Sequence, residues 1–391
     1  MPVFFAEKAL VGSDLNLKEN VYIITTTDFS NTPGLIKSVT EEKPKISVDE
    51  EFCDVLLIPG FVNGHTHIGD SVAKDLGYGV EIEDVVGPQG MKFKIFEKIE
   101  REDLVKAMRD AVFEMLSGGI TTFADFRESG IFGLELLKEA VRDLPIKAIV
   151  LGRPSNSLED SVKVLDSCDG FGLPSVYQYT EEEIKTLSEM CLKKGKLLAT
   201  HVLETKNNYS NSKIAPGDEL NQVLRYFKKP SFLVHLTHAN SDQLRKVAEY
   251  GIGVVCCPRG NAYFGIGFPP VAEMLKAGIK PSLGTDNQIS CSANMFSEME
   301  FLIRGSRLFR KKVLNPKEVL KMATVNGGKI LKRNIGVIEE GASADFILID
   351  LKAPNIKYSS DIYKGLTLRT NPKNVKQVFI EGTEVKKFQE D

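Results

Sequence analysis

From about residue 55 to residue 286 the chain alternates short β-rich segments with stretches of helical periodicity. The β-rich segments are the run ending at His67, Gly119 to Asp125, Lys147 to Gly152, Gly170 to Leu173, Lys196 to His201, Phe232 to His235, Gly251 to Cys256 and Lys280 to Asp286. Between them, residues 101 to 117 put Leu104, Ala107, Met108, Ala111, Val112 and Met115 on one stripe, and Gly118-Gly119 supplies the stop. Comparable stripes run through residues 181 to 193, 241 to 249 and 297 to 309. Eight strands with intervening helices predict an α/β chain, a closed parallel (β/α)8 TIM-type barrel rather than an open doubly wound sheet. The longest insertion, Gly69 to Glu97, follows the first strand, where it would serve as a lid or substrate wall.

The two ends read differently. Short β-like runs occur at Val21 to Thr25, Ile46 to Val48 and Val55 to Ile58. After the barrel, Asn315-Pro316 caps a helix of about 15 residues that is expected to end at Asn326-Gly327-Gly328. Two β-like segments follow, Ala344 to Leu351 and Val375 to Val385, the second folding over at Glu381-Gly382 as a hairpin. Neither end can bury a sheet face alone, so the prediction is one small β-sandwich domain built from both chain termini. Residues 1-57 with 335-391 would form that sandwich, and residues 58-334 the barrel.

With 42% hydrophobic and 26% charged residues and a net charge of −3, the 391-residue chain carries no electrostatic footprint for nucleic acid, so a small molecule is the expected partner. No run reaches about 18 uncharged apolar residues, and the first residues lack the basic and apolar regions of a signal peptide, so no membrane partner is expected. Six cysteines without a C-x-x-C pair fit reduced thiols in a cytoplasmic protein. A homo-oligomer is compatible with all of this.

The chemistry begins at Ile58-Pro59-Gly60-Phe61-Val62-Asn63-Gly64-His65-Thr66-His67, a buried-strand pattern ending in two histidines at i and i+2. On a strand these share a face, and neutral imidazole is a common ligand of a borderline divalent metal. With five histidines in the chain, a chance His-x-His arises in about one chain in fifteen, so the pair alone is moderately specific. The other histidines, His201, His235 and His238, also sit at or just past strand ends, which in a barrel converge on one face. His201 could add a third nitrogen and Asp286, in Gly284-Thr285-Asp286, a carboxylate, which leaves a position for water. Asp286 could instead cap the next helix, and Glu204 is either a solvated loop charge or the proton shuttle that a hydrolytic site needs. His238 is expected to be structural.

The ordered set His65-Thr66-His67, His201-Val202-Leu203-Glu204-Thr205, Leu233-Val234-His235-Leu236-Thr237-His238, Cys257-Pro258-Arg259-Gly260-Asn261 and Gly284-Thr285-Asp286 resembles the amidohydrolase superfamily. Within it, the chain looks like the cytosine deaminase and S-adenosylhomocysteine deaminase branch. The resemblance covers nearly the whole chain, since Gly336 to Asp345 and Ile380-Glu381-Gly382 are similar to that family's terminal sandwich. It implies that His65, His67, His201 and Asp286 bind one divalent metal, zinc foremost with iron or manganese as alternatives, and that no lysine carbamate is required. It also implies that Glu204 moves protons, that His235 holds the attacking oxygen, and that Asp286 can take the proton as metal-bound hydroxide attacks a carbon bearing nitrogen. The implied activity is that of a metal-dependent hydrolase acting on carbon–nitrogen bonds, a deaminase that releases ammonia from a purine, pyrimidine or related heterocycle. The alternatives on the same site are a cyclic amide hydrolase of the imidazolonepropionase type and a dechlorinase.

The departures concern substrate. Many relatives follow the histidine pair with an Arg-Gly loop and then Trp-Leu, whereas this chain has Ile68-Gly69-Asp70-Ser71-Val72-Ala73-Lys74-Asp75 and no tryptophan. Gly-Thr-Asp continues with Asn287 rather than glycine, which weakens a claim to adenosyl substrates. Asn261 is the foremost candidate for substrate contact, with Lys74, Arg127 and Arg153, and also Asp70 and Lys92, as further polar candidates. A non-catalytic member of the family would lack ligands, and here all four and Glu204 are present.

Overall fold

The computed structural model describes residues 1–26, 34–87, 89–154, 157–205 and 219–385. One parallel sheet runs in chain order through Phe61–His67, Ile120–Arg127, Lys147–Gly152, Gly170–Leu173, Leu197–Val202, Ser231–His235, Gly253–Cys256 and Ser282–Leu283. Its ninth segment, Asp286–Asn287, pairs back onto Phe61–His67, with Asp286 opposite Thr66 and Asn287 opposite His67. Since Ser282–Leu283 and Asp286–Asn287 are separated by only Gly284-Thr285, both edges of the sheet lie on one short segment, and the sheet curls round toward itself. The strands read as continuous apolar runs because both faces are covered, with every residue of Ile120–Arg127 buried.

The helices are cut where the side chains direct. Thr180 and Glu183 form a capping box at the start of Glu181–Lys194, and Gly195, with φ of +63°, ends it. Asn240 and Gln243 do the same for Ser241–Tyr250, with Gly251 as the stop. The expected stripes at 101–117 and 297–309 appear as Arg101–Ser117 and Met295–Phe309.

A separate eight-stranded sheet takes strands from both ends of the chain. Its path runs from Thr383–Glu384 through Val375–Ile380, Phe346–Asp350, Val55–Pro59 and Val3–Val11 to Asn16–Thr25 and Ile36–Thr40, and Glu50–Phe52 also pairs with Val3–Val11. Phe4, Phe52, Phe346 and Phe379 meet in its core, the Phe4 ring standing edge-on to Phe346 at 5.2 Å and to Phe379 at 5.5 Å. The expected hairpin turns at Glu381-Gly382, both with positive φ, and pairs Ile380 with Thr383.

Three expectations are corrected, and one strand is unexpected. The run from Ile58 to His67 is not one strand: Val55–Pro59 belongs to the terminal sheet, and the chain crosses to the other sheet at Gly60, where a Cβ would stand 2.4 Å from the Thr121 side chain. Ile46 to Val48 is irregular, and the nearby strand is Glu50–Phe52. Val3–Val11, central to the terminal sheet, is a strand that the pattern of short β-like runs passes over, because Glu7 and Lys8 break its apolar alternation. The helix after Asn315 divides into Pro316–Met322 and Val325–Ile330, so Asn326-Gly327-Gly328 lies inside a helix instead of ending one. Gly327 is needed there for close packing, since a Cβ would come within 2.6 Å of Val62. Among the described residues no helix is long and apolar enough to cross a membrane.

Candidate active site

His65 and His67 project from the last turn of their strand onto one face, as the i, i+2 spacing requires. His201 comes from Leu197–Val202, His235 from Ser231–His235, and Asp286 from the segment that completes the sheet. The approach of that segment depends on glycine: a Cβ on Gly284 would lie 2.8 Å from the His65 backbone nitrogen. Asn63 pins the same turn, accepting from the Thr285 N–H at 3.0 Å and donating to Thr285 Oγ1 at 2.8 Å. His235, Leu236, Leu203 and Asp286 all carry positive φ, between 49° and 76°. Such backbone persists only where the surroundings enforce it, and here it gathers at the ends of the strands that bear the site.

The donor atoms converge. His65 Nε2 stands 3.2 Å from His201 Nε2, and His67 Nε2 stands 3.3 Å from it. Asp286 Oδ1 is 3.3 Å from His65 Nε2 and 3.8 Å from His67 Nε2. Four donors set tetrahedrally around zinc at its usual bond lengths are roughly 3.3 to 3.5 Å apart, so the spacing fits a single divalent ion. His201 Nδ1 faces the Leu173 carbonyl at 3.1 Å, which makes it the N–H and leaves Nε2 with its lone pair toward the cluster. One lone pair cannot satisfy two neighbouring imidazoles well, whereas a central cation satisfies all of them. Burial pushes all three imidazoles below the usual histidine range, so they are neutral and able to ligate near pH 7. Burial alone would raise the Asp286 carboxyl, but its hydrogen bond with His65 and the surrounding imidazoles outweigh it and hold the group well below the ordinary range. His235 also lies within 4.8 Å of His65, His201 and Asp286.

Around this cluster each neighbour has a task. Phe126 stands edge-on to His65 at 4.4 Å and to His201 at 5.2 Å, holding both rings. Glu204 Oε1 is 3.5 Å from His235 Nε2, and burial raises its carboxyl above the usual glutamate range. His235 Nδ1 meets Asn261 Oδ1 at 3.0 Å, and Asn261 Nδ2 donates to Thr237 Oγ1 at 2.8 Å. Gly260 leaves room for the Asp286 carboxylate, since a Cβ there would lie 2.9 Å from Oδ2. His238 Nε2 meets the Ile266 carbonyl at 2.7 Å.

A cavity of about 690 Å³ opens beside the cluster, with His67, His201, Glu204 and Asp286 in its wall. That volume suits a small heterocycle. The insertion after the first strand forms part of the wall, through the short helices Ile82–Val86 and Met91–Phe96. Of the polar residues expected at the substrate, Arg153, Asp70 and Lys92 line this cavity. Asn261, Arg127 and Lys74 do not line it. Asn261 is fully buried with its amide spent on His235 and Thr237, Arg127 is buried beside Asp125 at 3.5 Å, and Lys74 is exposed. Glu128 escapes the reading of the sequence, although it directly follows the strand Ile120–Arg127 and so stands where strand-end residues gather. It binds Lys92 Nζ at 2.8 Å and Arg153 Nη2 at 3.0 Å through one oxygen, Oε1. Burial would raise it, but Lys92, Arg153 and Arg127 hold it at about 2, while burial pushes nearby Asp70 up to about 6.

Behind Asp286, fully buried Glu298 accepts the Arg259 N–H at 3.3 Å, and burial pushes its carboxyl up to about 8. A carboxyl raised on folding adds stability that is complete below its unfolded value near 4.5 and is lost as pH rises through about 8. Thermal melts of the metal-loaded protein should therefore fall between about pH 4.5 and 8 and level off above that, and Glu298→Gln should flatten the fall. Parallel pH slopes for the two proteins would assign the loss to another group.

The Amidohydrolase family profile matches residues 56–385. A protein of Methanothermobacter thermautotrophicus that carries a provisional aminohydrolase name is 37% identical, over 90% of this chain and 93% of that protein. The 5-methylthioadenosine/S-adenosylhomocysteine deaminase of Caldanaerobacter subterraneus subsp. tengcongensis is 28% identical, over 89% of this chain and 85% of the relative. Among solved structures, an adenosine deaminase of Xanthomonas campestris with bound zinc superposes with a TM-score of 0.83, at 20% identity, over 98% of this chain and 92% of the other.

Proposed function

The chain belongs to the amidohydrolase family, and from that premise we propose that it is a metal-dependent deaminase releasing ammonia from a small amino-heterocycle. The observation that carries the reading is the Glu204 carboxyl, 15% exposed beside His235, opening with His67, His201 and Asp286 of the donor cluster onto one cavity.

His65, His67, His201 and Asp286 are the proposed ligands, on the strength of donor spacings between 3.2 and 3.8 Å. Zinc is the proposed ion, because three neutral nitrogens and one carboxylate suit it. The ion supplies the positive charge that makes water acidic enough to serve as nucleophile near neutral pH. Asp286 would take a proton from the attacking water. His235, held by Asn261, orients its oxygen from the neighbouring strand. Glu204, with its affinity for protons raised by burial, would give its proton to the ring nitrogen and, recharged with a proton released from the attacking water, give a second to the departing ammonia, the proton on Asp286 restoring the starting state. Arg153 is the proposed substrate contact of the set read from the sequence, since it lines the cavity.

Two wider elements belong to the same reading. Counting Ser282–Asn287 as one interrupted strand makes the curled sheet a closed (β/α)8 barrel over about residues 58–334. The terminal sheet, bent around its four-phenylalanine core, would be a β-sandwich of residues 1–57 and 335 onward. A cytoplasmic setting and a small-molecule partner follow from the composition.

The test is a panel of aminopurines, aminopyrimidines and aminopterins scored for ammonia, with cyclic imides and imidazolones scored for ring opening. The protein should carry about one equivalent of divalent metal, as one four-donor cluster requires. Ammonia from at least one amino-heterocycle is expected. Turnover confined to the cyclic amides would overturn deamination and leave the metal site standing.

A further inference from the structure

The charges in the cavity wall say which substituents a substrate can carry. Among the described residues Asp70, Glu128 and Asp286 are its buried carboxylates, Glu204 is a fourth at 15% exposed, and Lys92, 2% exposed, is its buried cation, with the side chain of Arg153 three-quarters covered. Both cations are already engaged. Lys92 Nζ lies 2.8 Å from Glu128 Oε1 and 3.4 Å from Asp70 Oδ2, and Arg153 Nη2 lies 3.0 Å from the same Glu128 oxygen. Glu128 Oε2 has no hydrogen-bond partner among the described residues, so the carboxylate holds these cations with capacity to spare. With a divalent ion at the cluster, these four carboxylates would face charges of equal sum, and among the described residues no buried cation of the wall is left over for an anionic ligand. At the rim, Glu83 and Asp84 outnumber Lys94.

We propose that Glu128, by holding both Lys92 and Arg153, makes this cavity selective for heterocycles whose other substituent is uncharged and excludes those bearing a carboxylate or phosphate. The inference rests on the deaminase reading for the kind of ring, and on the wall alone for the charge. An anion settling beside Lys92 and Arg153 must either displace Glu128 from these two cations or lie against Glu128 and Asp70 unpaired. Either course costs affinity, since an unpaired like charge in a desolvated site is strongly disfavoured. An uncharged group meets no such penalty, because the existing ion pairs stay intact. Two of the substrates in the name of the Caldanaerobacter relative differ in this respect, one ending in a methylthio group and the other in an amino acid. On this reading the present chain accepts the first type of tail and refuses the second.

The experiment measures binding directly, by calorimetry on metal-loaded protein, so that it needs no turnover. Three ring-matched pairs are used, an aminopurine, an aminopyrimidine and an aminopterin, each carrying either a hydroxyethyl or a carboxymethyl substituent. In any pair that binds, the hydroxyethyl member is expected to bind more tightly by about tenfold or more, a difference of about 1.4 kcal/mol or above. Glu128→Gln should free the two cations and narrow or reverse the preference, and Arg153→Gln added to it should remove that gain. Equal or tighter binding of the carboxymethyl member by the unaltered protein overturns the proposal, as does an unchanged ratio in Glu128→Gln or failure of every pair to bind. If Glu128→Gln does not fold, the ratio in the unaltered protein decides. Charge selectivity without ammonia release would instead count against deamination alone.

Discussion

Glu204→Gln should retain the metal and lose activity by about 10²-fold or more, whereas His65→Ala should lose both. Glu204 is not one of the proposed donors and, among the described residues, meets the site through His235 Nε2 at 3.5 Å, so replacing its carboxyl by an amide removes a proton carrier without removing a proposed ligand. Glutamine keeps the shape and cannot exchange a proton near neutral pH, so a loss of this size with unchanged metal content identifies proton transfer. His65 is different. It is fully buried, its Nε2 is 3.2 Å from that of His201 and 3.3 Å from Asp286, and alanine would leave a neutral site short of one nitrogen. Elemental analysis alongside turnover decides the matter. Metal lost from Glu204→Gln, or retained at full occupancy by His65→Ala, would show the roles to be misassigned.

A chain ending near residue 335 should fail to give stable, active protein. The tail contributes Phe346, Ile347, Leu348, Ile349 and Phe379, all buried to within 1%, and the first four sit on the strand paired with Val55–Pro59. At about 1.5 to 3 kcal/mol for each such side chain, the loss is roughly 10 kcal/mol, which matches the whole stability of a typical domain. The cut would also expose the backbone edge of Val55–Pro59, whose next residues lead through Gly60 into the strand bearing His65 and His67. Disturbance of the terminal sheet would therefore reach the site along the chain itself. Expression level, solubility and thermal melts of the truncated and full chains measure this, and a soluble, fully active truncation would sink it.

Most of the proposed metal cluster is legible in the linear sequence, because strand-end position is a periodic property. His65 and His67 share a face by the two-residue repeat of a strand, and His201, His235 and Asp286 follow apolar runs whose ends converge in a parallel sheet. The helices at 101–117 and 181–193 are legible for the same reason, with apolar stripes between recognisable starts and stops. The residues that support the cluster from behind are not. Asn261 reads in one dimension as a polar residue next to a strand end, and only packing reveals that its amide is consumed by His235 and Thr237. Arg127 and Glu128 are charged neighbours in sequence, yet Arg127 lies against Asp125, two residues back on the same strand, while Glu128, just past the strand end, enters the cavity wall.

By itself, then, the sequence determined the repeating order of strand and helix, the convergence of three histidines and an aspartate at strand ends, and the partnership of the two chain ends in β structure. These depend on local periodicity and on where apolar residues fall, which a linear chain carries in full. Tertiary structure alone decided that Gly60 divides two sheets, that Gly327-Gly328 continues a helix against Val62, and that Lys92 and Arg153 are already bound to Glu128. Each of these is a contact between residues distant in sequence, set by close packing and by the neutralisation of buried charge. Neither quantity exists until the chain has folded.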